Sequence, residues 1–150
     1  MEFILHLWGD YIFQSNWAAN NKTTNSFACL VHVILYSIGF YFLSPSWTAF
    51  AVIFGTHFLI DRFRLAKYLV YAKQFLAPPS ATTDFQYHSF FDGGYKQFVK
   101  RRCVADGYKW KNCQATGYPA EIPTWMSVWL LIIADNTLHL TINYLALRFL

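Results

Sequence analysis

The sequence predicts an all-α protein: a four-helix transmembrane bundle with a basic and aromatic cap between its third and fourth helices. Composition is the first reason, because 55% of the 150 residues are hydrophobic and only 13% are charged, against about 25% charged residues in an ordinary soluble domain. The second reason is that four apolar segments follow one another along the chain. The predicted spans cover residues 3–19, 27–43, 47–68 and 125–149 of a single integral membrane domain, residues 1–150.

Short polar links join the first three segments. The stretch "NNKTTNS" precedes the second segment, with Ser26 as the candidate N-cap, and "SPS" precedes the third, where Pro45 can occupy the first helical turn. Links this short predict antiparallel neighbours. The second and fourth segments reach the length of about 20 apolar residues that a spanning helix needs. The first is marginal, and the third is expected to continue as an amphipathic helix to Leu76.

The cap comprises residues 77–123 and is rich in Pro and Gly. Its basic residues are Lys96, Lys100, Arg101, Arg102, Lys109 and Lys111. Aromatic side chains between them argue against a disordered linker, so we predict a cap on the membrane surface. Its charge suits anionic headgroups of membrane lipids or a protein partner. Nucleic acid is not expected as a partner, because no recognisable nucleic-acid-binding fold accompanies the charge.

The distribution of Lys and Arg predicts the orientation in the membrane. Four antiparallel spans place both termini on one face. Lys22, the residues from Arg62 to Lys73 and the cap supply basic charge on the other face, whereas Arg148 alone lies on the terminal side. The positive-inside rule therefore predicts a cytoplasmic cap with both termini outside.

Charged carboxylates recur inside the apolar segments, each with a histidine four residues away. The pairs are His6 with Asp10 in "HLWGD", His57 with Asp61 in "THFLIDRFR", and Asp135 with His139 in "ADNTLHL". Residues four apart share one helix face. Each aspartate costs about 2.5–3.5 kcal/mol on insertion scales at the bilayer centre, so we expect compensating partners.

The order of the pairs indicates that they converge. Histidine comes first in segments one and three, which run inward, and aspartate comes first in segment four, which runs outward. Antiparallel packing therefore predicts one layer of histidines above one layer of aspartates. At about 1.5 Å per residue, His57 lies roughly 16 Å from Trp47, and His32 in segment two lies at a similar depth. We therefore expect a site at the bilayer midplane.

A divalent metal is the expected occupant of this site. The candidate ligands are His6, Asp10, His32, His57, Asp61, Asp135 and His139. Imidazole and carboxylate suit zinc, which we favour, with manganese or iron as alternatives. Asp10, Asp61 and Asp135 are the candidate catalytic carboxylates, and Gln14, one turn beyond Asp10, is expected to orient a ligand. The competing interpretation is three buried His–Asp ion pairs or interhelical hydrogen bonds without metal.

The segments that contain these residues resemble those of a known protein family. The opening "HLWGDYIFQSNWAANNK", the single histidine His32, the stretch "HFLID" and the late Asp135–His139 pattern resemble a family of small bacterial and phage membrane proteins of unknown function. In that pattern a Gln usually follows the late Asp, and here Asn136 takes its place, which implies a supporting role for this amide. More distantly, "THFLID" is similar to a stretch of inner-membrane metal-dependent hydrolases related to zinc-dependent phospholipases. The resemblance implies an inner (cytoplasmic) membrane location.

Three functions fit these observations. The first is a membrane-embedded metal-dependent hydrolase of a lipid or another phosphoester. The second is a proton or ion relay or transport protein, which a homo-oligomer would suit, because histidine and aspartate chains inside membranes are typical of such pathways. The third is a non-enzymatic bacterial or phage accessory protein whose cap binds a partner.

Overall fold

A computed structural model describes residues 1–43, 46–76, 82–85, 99–102, 110–120 and 122–150. Helices dominate these residues, as the sequence predicts. The helices are α1 (Glu2–Leu7), α2 (Asn16–Asn21), α3 (Ser26–Leu43), α4 (Trp47–Phe63), α5 (Ala66–Lys73) and α6 (Thr124–Phe149), with a π-helical turn at Trp8–Ile12 and 3-10 turns at Gln74–Leu76 and Trp110–Asn112.

The first apolar segment is not the single span that we predicted over residues 3–19. It forms α1, the π-helical turn and α2, which are separated at Ser15. Ser15 is extended (φ −68°, ψ 152°), and its hydroxyl accepts a hydrogen bond from the Ala18 N–H at 3.2 Å, which caps α2. The prediction failed because apolar composition alone does not reveal a capped interruption.

Helices α3 and α6 are long and apolar enough to cross a membrane. Helix α3 is capped by Asn25 and not by Ser26, because the Asn25 side-chain oxygen accepts a hydrogen bond from the Phe27 N–H at 2.8 Å. The Ser46 hydroxyl caps α4 by accepting from the Ala49 N–H at 3.1 Å, and Pro45 lies outside the described residues.

Helix α4 ends earlier than the predicted limit at residue 68. Arg64 adopts a left-handed conformation (φ 50°), and its N–H donates to the Asp61 carbonyl oxygen at 3.3 Å. The chain then turns into α5, which packs against α6. The continuous helix that we expected up to Leu76 is therefore divided at Arg64, which leaves Asp61 near the end of α4.

Helices α3, α4 and α6 pack around an apolar core. Tyr36, Phe40, Ile53 and Ala146 are buried within it. By contrast, large apolar side chains cover the outer surface; the most exposed include Phe27, Phe42, Trp47, Trp125, Trp129 and Phe149. So much exposed apolar surface requires an apolar surrounding or a partner.

Only parts of the predicted cap belong to the described residues. Thr82–Phe85 and Val99–Arg102 form antiparallel strands β1 and β2, in a register that pairs Thr82 with Arg102. Near α6, Gly117 takes φ +82° and approaches the Lys67 carbonyl oxygen so closely that a Cβ atom would collide with it. Close packing of this turn on α5 is the reason for glycine here.

Candidate metal centre

Five parts of the chain bring the predicted ligands together. Their sources are α1 for His6, the π-helical turn for Asp10, α3 for His32, α4 for His57 and Asp61, and α6 for Asp135 and His139. All four histidines are at most 2% exposed. The convergence that the reversed His and Asp order predicted is therefore present.

The π-helical turn places Asp10 at the centre. Gly9 is buried against α3, where a Cβ atom would lie 3.2 Å from the Tyr36 Cα atom and would overlap the Tyr36 ring. Only glycine permits so close an approach of the two backbones. Single π-helical turns often occur at functional sites, because they redirect side chains.

Four donor atoms lie at distances suited to a single metal ion. The Nε2 atoms of His32 and His57 are 3.1 Å apart. Asp10 Oδ1 lies 3.3 and 3.5 Å from these two nitrogens, and Asp61 Oδ2 lies 3.1 and 3.3 Å from them. Ligands at 2.0–2.1 Å from zinc in a tetrahedral site are about 3.3 Å apart. The five distances are close to this value, and we call these two imidazole nitrogens and two carboxylate oxygens the four-donor set.

The His–Asp contacts run between helices as well as within them. Within a helix, His6–Asp10, His57–Asp61 and Asp135–His139 approach to 3.5, 3.3 and 3.6 Å. The contact between His32 on α3 and Asp61 on α4 is closer, at 3.1 Å. Asp10 Oδ1 is buried and makes no hydrogen bond among the described residues. The carboxylates are therefore shared between helices, as ligands of a common ion are.

Stacking orients the imidazole rings. Tyr36 stacks on His57 with centroids 3.7 Å apart, and His139 stacks on the same ring at 4.1 Å. The Nδ1 atoms of His32 and His57 make no hydrogen bond to the described residues. Ring stacking therefore fixes the orientation of the His57 imidazole, which in many metal sites is fixed by a hydrogen bond to the second ring nitrogen.

Lys22 supplies a positive charge to this cluster. Its Nζ atom donates to Asp61 Oδ2 at 2.9 Å and to Gln14 Oε1 at 3.3 Å. Burial alone would lower the pKa of Lys22, but the carboxylates of Asp61, Asp10 and Asp135 together raise it. Gln14, which we expected to orient a ligand, contacts the lysine. The link that carries Lys22 is held by Arg62, whose Nη1 donates to the Thr23 carbonyl oxygen at 2.6 Å.

His6 takes part in a hydrogen-bonded chain beside the four-donor set. Asn143 Nδ2 donates to the Tyr36 hydroxyl at 2.6 Å, and that hydroxyl lies 2.9 Å from His6 Nδ1. His6 Nε2 lies 3.1 Å from Asn136 Oδ1. Because Asn136 Oδ1 can only accept, His6 Nε2 donates to it, and Nδ1 of the neutral imidazole then accepts from the Tyr36 hydroxyl. The predicted support from Asn136 thus acts on His6, and a ligand role for His6 stays a prediction.

An open cavity of about 580 Å³ adjoins the cluster. Its polar and charged lining residues are Asp10, Tyr11, Gln14, Asn16, Lys22, Thr23, Asp61, Arg64, Asp135 and Asn136. Asp61 lies two residues before the end of α4. Asp61 is therefore near one end of this helix, and the depth of the cluster in a membrane stays a prediction.

The sequence analysis did not identify two buried residues that contact the cluster, Tyr36 and Asn143, although their spacing from predicted ligands indicates them. Tyr36 follows His32 by four residues, and Asn143 follows His139 by four, so each lies on the same helix face as a predicted ligand. Lys22 carries no such signal, because it lies in a link.

A family model described as a protein of unknown function, DUF3307, matches residues 1–90. This range contains the whole four-donor set and excludes α6. No curated protein and no solved structure matches the chain.

Proposed function

We propose that this chain, which belongs to the DUF3307 family, is a membrane-embedded metal-dependent hydrolase of a lipid or another phosphoester. The observation that carries the proposal is the four-donor set of His32, His57, Asp10 and Asp61 beside an open cavity with cationic side chains. A structural zinc site is closed by four protein ligands, whereas a catalytic one keeps a position for water. Here the cavity reaches Asp10 and Asp61, so water would bind as a fifth ligand or in place of one carboxylate oxygen.

Zinc is the ion that these donors suit best. Two imidazole nitrogens and two carboxylate oxygens match its ligand preferences, and their separations of 3.1–3.5 Å are close to those between neighbouring zinc ligands. Manganese and iron accept the same donor types and stay alternatives. The two carboxylates balance the charge of one divalent ion, so burial of the occupied set costs less than burial of the bare aspartates.

The cavity supports a substrate with negative charge. Lys22 and Arg64 line it together with amide side chains from Gln14, Asn16 and Asn136. Ammonium and guanidinium groups are the usual protein partners of phosphate oxygens. Because Asp61 lies near the end of α4, a lipid phosphoester at the membrane interface could enter without descending to the midplane.

The chemistry follows from these positions. A divalent ion held by His32, His57, Asp10 and Asp61 would lower the pKa of a water toward about 7 and would polarise a phosphoryl oxygen. The water oxygen forms a bond to phosphorus, and the bond from phosphorus to the leaving alcohol oxygen breaks. Asp135, outside the four-donor set but at the cavity, accepts the water proton, and solvent in the open cavity protonates the alcohol. Lys22 and Arg64 hold the charged phosphoryl oxygens.

We place the protein in the inner (cytoplasmic) membrane, with the four apolar segments forming the bundle. Helices α3 and α6 meet the requirements for spanning. Helix α4 has 17 residues, the lower limit of the range of about 17–25, and the bent segment from α1 to α2 completes the bundle. In this arrangement the cap and the Lys22 end of the cluster face the cytoplasm, as the basic charge requires.

The experiment uses the full chain purified in a zwitterionic detergent. Metal content is measured by mass spectrometry. Hydrolysis is measured with a chromogenic phosphodiester, a chromogenic phosphomonoester and anionic phospholipid, before and after chelation and after zinc is restored. We expect a tightly bound ion and an activity that chelator removes and zinc restores. Asp10→Asn should lose both, whereas Glu2→Gln, the same chemical change at the start of α1, should lose neither. A bound ion with no hydrolysis of any of the three substrates would favour a relay or accessory role.

A further inference from the structure

We infer that the cluster holds a second divalent ion on the other side of the Asp61 carboxylate, so that Asp61 bridges a two-metal centre; the inference rests on the proposed metal site. Asp61 Oδ2 faces the Nε2 atoms of His32 and His57 at 3.1 and 3.3 Å. Asp61 Oδ1 faces His139 Nε2 at 3.4 Å. The two oxygens of one carboxylate thus point at two different sets of imidazoles, as in a bridging ligand.

His139 provides the second, independent observation. It is 2% exposed, and its Nε2 atom makes no hydrogen bond among the described residues. Two carboxylate oxygens nevertheless approach this nitrogen, Asp61 Oδ1 at 3.4 Å and Asp135 Oδ2 at 3.6 Å. A buried imidazole nitrogen with carboxylates nearby and no hydrogen bond is the arrangement that a cation completes. His57, Asp61 and His139 also have donor atoms within 4.8 Å of one another.

Asp10 divides its oxygens in the same way. Its Oδ1 atom belongs to the four-donor set, and its Oδ2 atom lies 3.5 Å from His6 Nε2 on the side of His139. The bridge between the two ions is therefore the Asp61 carboxylate, with Asp10 adjoining it. Metal pairs bridged in this manner lie about 3.5–4 Å apart and activate a water between them. Asp135 binds through Oδ2 and keeps Oδ1 for the proton that it accepts.

Charge then indicates the ligand of the occupied pair. Two divalent ions and the Lys22 ammonium exceed the charge of Asp10, Asp61 and Asp135 by two positive charges. A phosphate dianion carries the opposite charge, and the cavity that opens at Asp135 also presents Lys22 and Arg64. The two-metal centre therefore suits a terminal phosphate group, which narrows the substrate class to phosphomonoesters.

The test uses manganese as the probe, on the full chain in detergent after removal of other metals. We expect two Mn²⁺ ions per chain by mass spectrometry and the multiline electron paramagnetic resonance spectrum of an exchange-coupled pair. Addition of inorganic phosphate should change this spectrum. His139→Ala should retain one ion and show the six-line spectrum of isolated Mn²⁺. Asp135→Asn should weaken binding of the second ion at least about tenfold. Because this change preserves side-chain size, it still tests the second site if His139→Ala does not fold.

Control variants separate a lost ligand from a damaged helix. Asn143→Ala removes a buried polar group one turn further along α6 and should retain the coupled pair. A wild-type protein that binds one ion and hydrolyses phosphoesters would overturn the second site and leave the proposed function intact. A coupled pair without hydrolysis would support the second site and overturn the function. A coupled pair that persists in both His139→Ala and Asp135→Asn would show that the second ion is not held here.

Discussion

The Lys22 ammonium lies 2.9 Å from Oδ2 of Asp61, the carboxylate oxygen that His32 and His57 also approach. The lysine comes from the link between α2 and α3, and its side chain is 18% exposed at the edge of the cavity. It therefore compensates a buried aspartate in the metal-free protein, and it competes with a cation for the same oxygen.

Lys22→Met should raise the affinity for zinc at least about tenfold, because a unit charge a few ångströms from the ion no longer opposes binding. The same change should lower the thermal stability of the metal-free protein, since it leaves Asp61 with less compensation. Competition with a chromogenic chelator and thermal unfolding measure the two effects. Lys73→Met is the control, because Lys73 contacts Tyr118 away from the cluster. Unchanged zinc affinity would show that Lys22 does not compete.

The raised pKa of Lys22 predicts how this contribution depends on pH. A raised pKa in the folded state means that the contribution is fully present below the unfolded pKa of about 10.4 and is lost as the pH rises through the folded pKa. The difference in melting temperature between wild type and Lys22→Met, without metal, should therefore be constant from about pH 6 to 9 and shrink above about pH 10.5. A difference that disappears at neutral pH would contradict the ion pair.

Asp61→Asn distinguishes the metal site from buried ion pairs. Asn has nearly the same size but no negative charge. If Asp61 is a metal ligand, the variant should lose most of the bound ion and melt at a lower temperature than the metal-loaded wild type, and chelator should have little further effect. If the cluster contains no metal, Asp61→Asn should still lower stability, because Lys22 loses its carboxylate partner, but chelator should change the melting temperature of neither the variant nor the wild type. Calorimetry with and without chelator measures the difference.

Tyr36→Phe should reduce stability without removing the first ion. The hydroxyl bridges Asn143 and His6, and its loss leaves both groups unpaired, at a cost of about 1–3 kcal/mol each. The ring that stacks on His57 remains. Denaturant unfolding measures the loss of stability, and metal analysis measures the bound ion. Tyr144→Phe is the control, because Tyr144 is half-exposed. Loss of the ion would place the Tyr36 hydroxyl among the groups that maintain the four-donor set.

The proposed orientation is tested by thiol labelling in a background without the three native cysteines. Cysteines placed at Glu2 and after Leu150 should react with an impermeant reagent from outside intact cells. A cysteine at Arg101 should react only after permeabilisation. Equal labelling of all three sites would rule out the four-span arrangement.

The sequence by itself determined the helical class and the composition of the metal cluster. His57 and Asp61 share a face because they are four residues apart. The reversed order of Asp135 and His139 predicts that they meet this pair when their helix packs antiparallel to it. These are local periodicities, and they hold wherever the helices lie.

Only the tertiary structure decided the geometry of the site. The interruption at Ser15, the end of α4 at Arg64 and the contact between Lys22 and Asp61 depend on capping, backbone conformation and a contact across 39 residues. Asp61 also divides its oxygens between His32 and His139 because α3, α4 and α6 meet around it. The distances between helices arise from the packing of side chains such as Tyr36 against Gly9, which no periodicity along one helix contains.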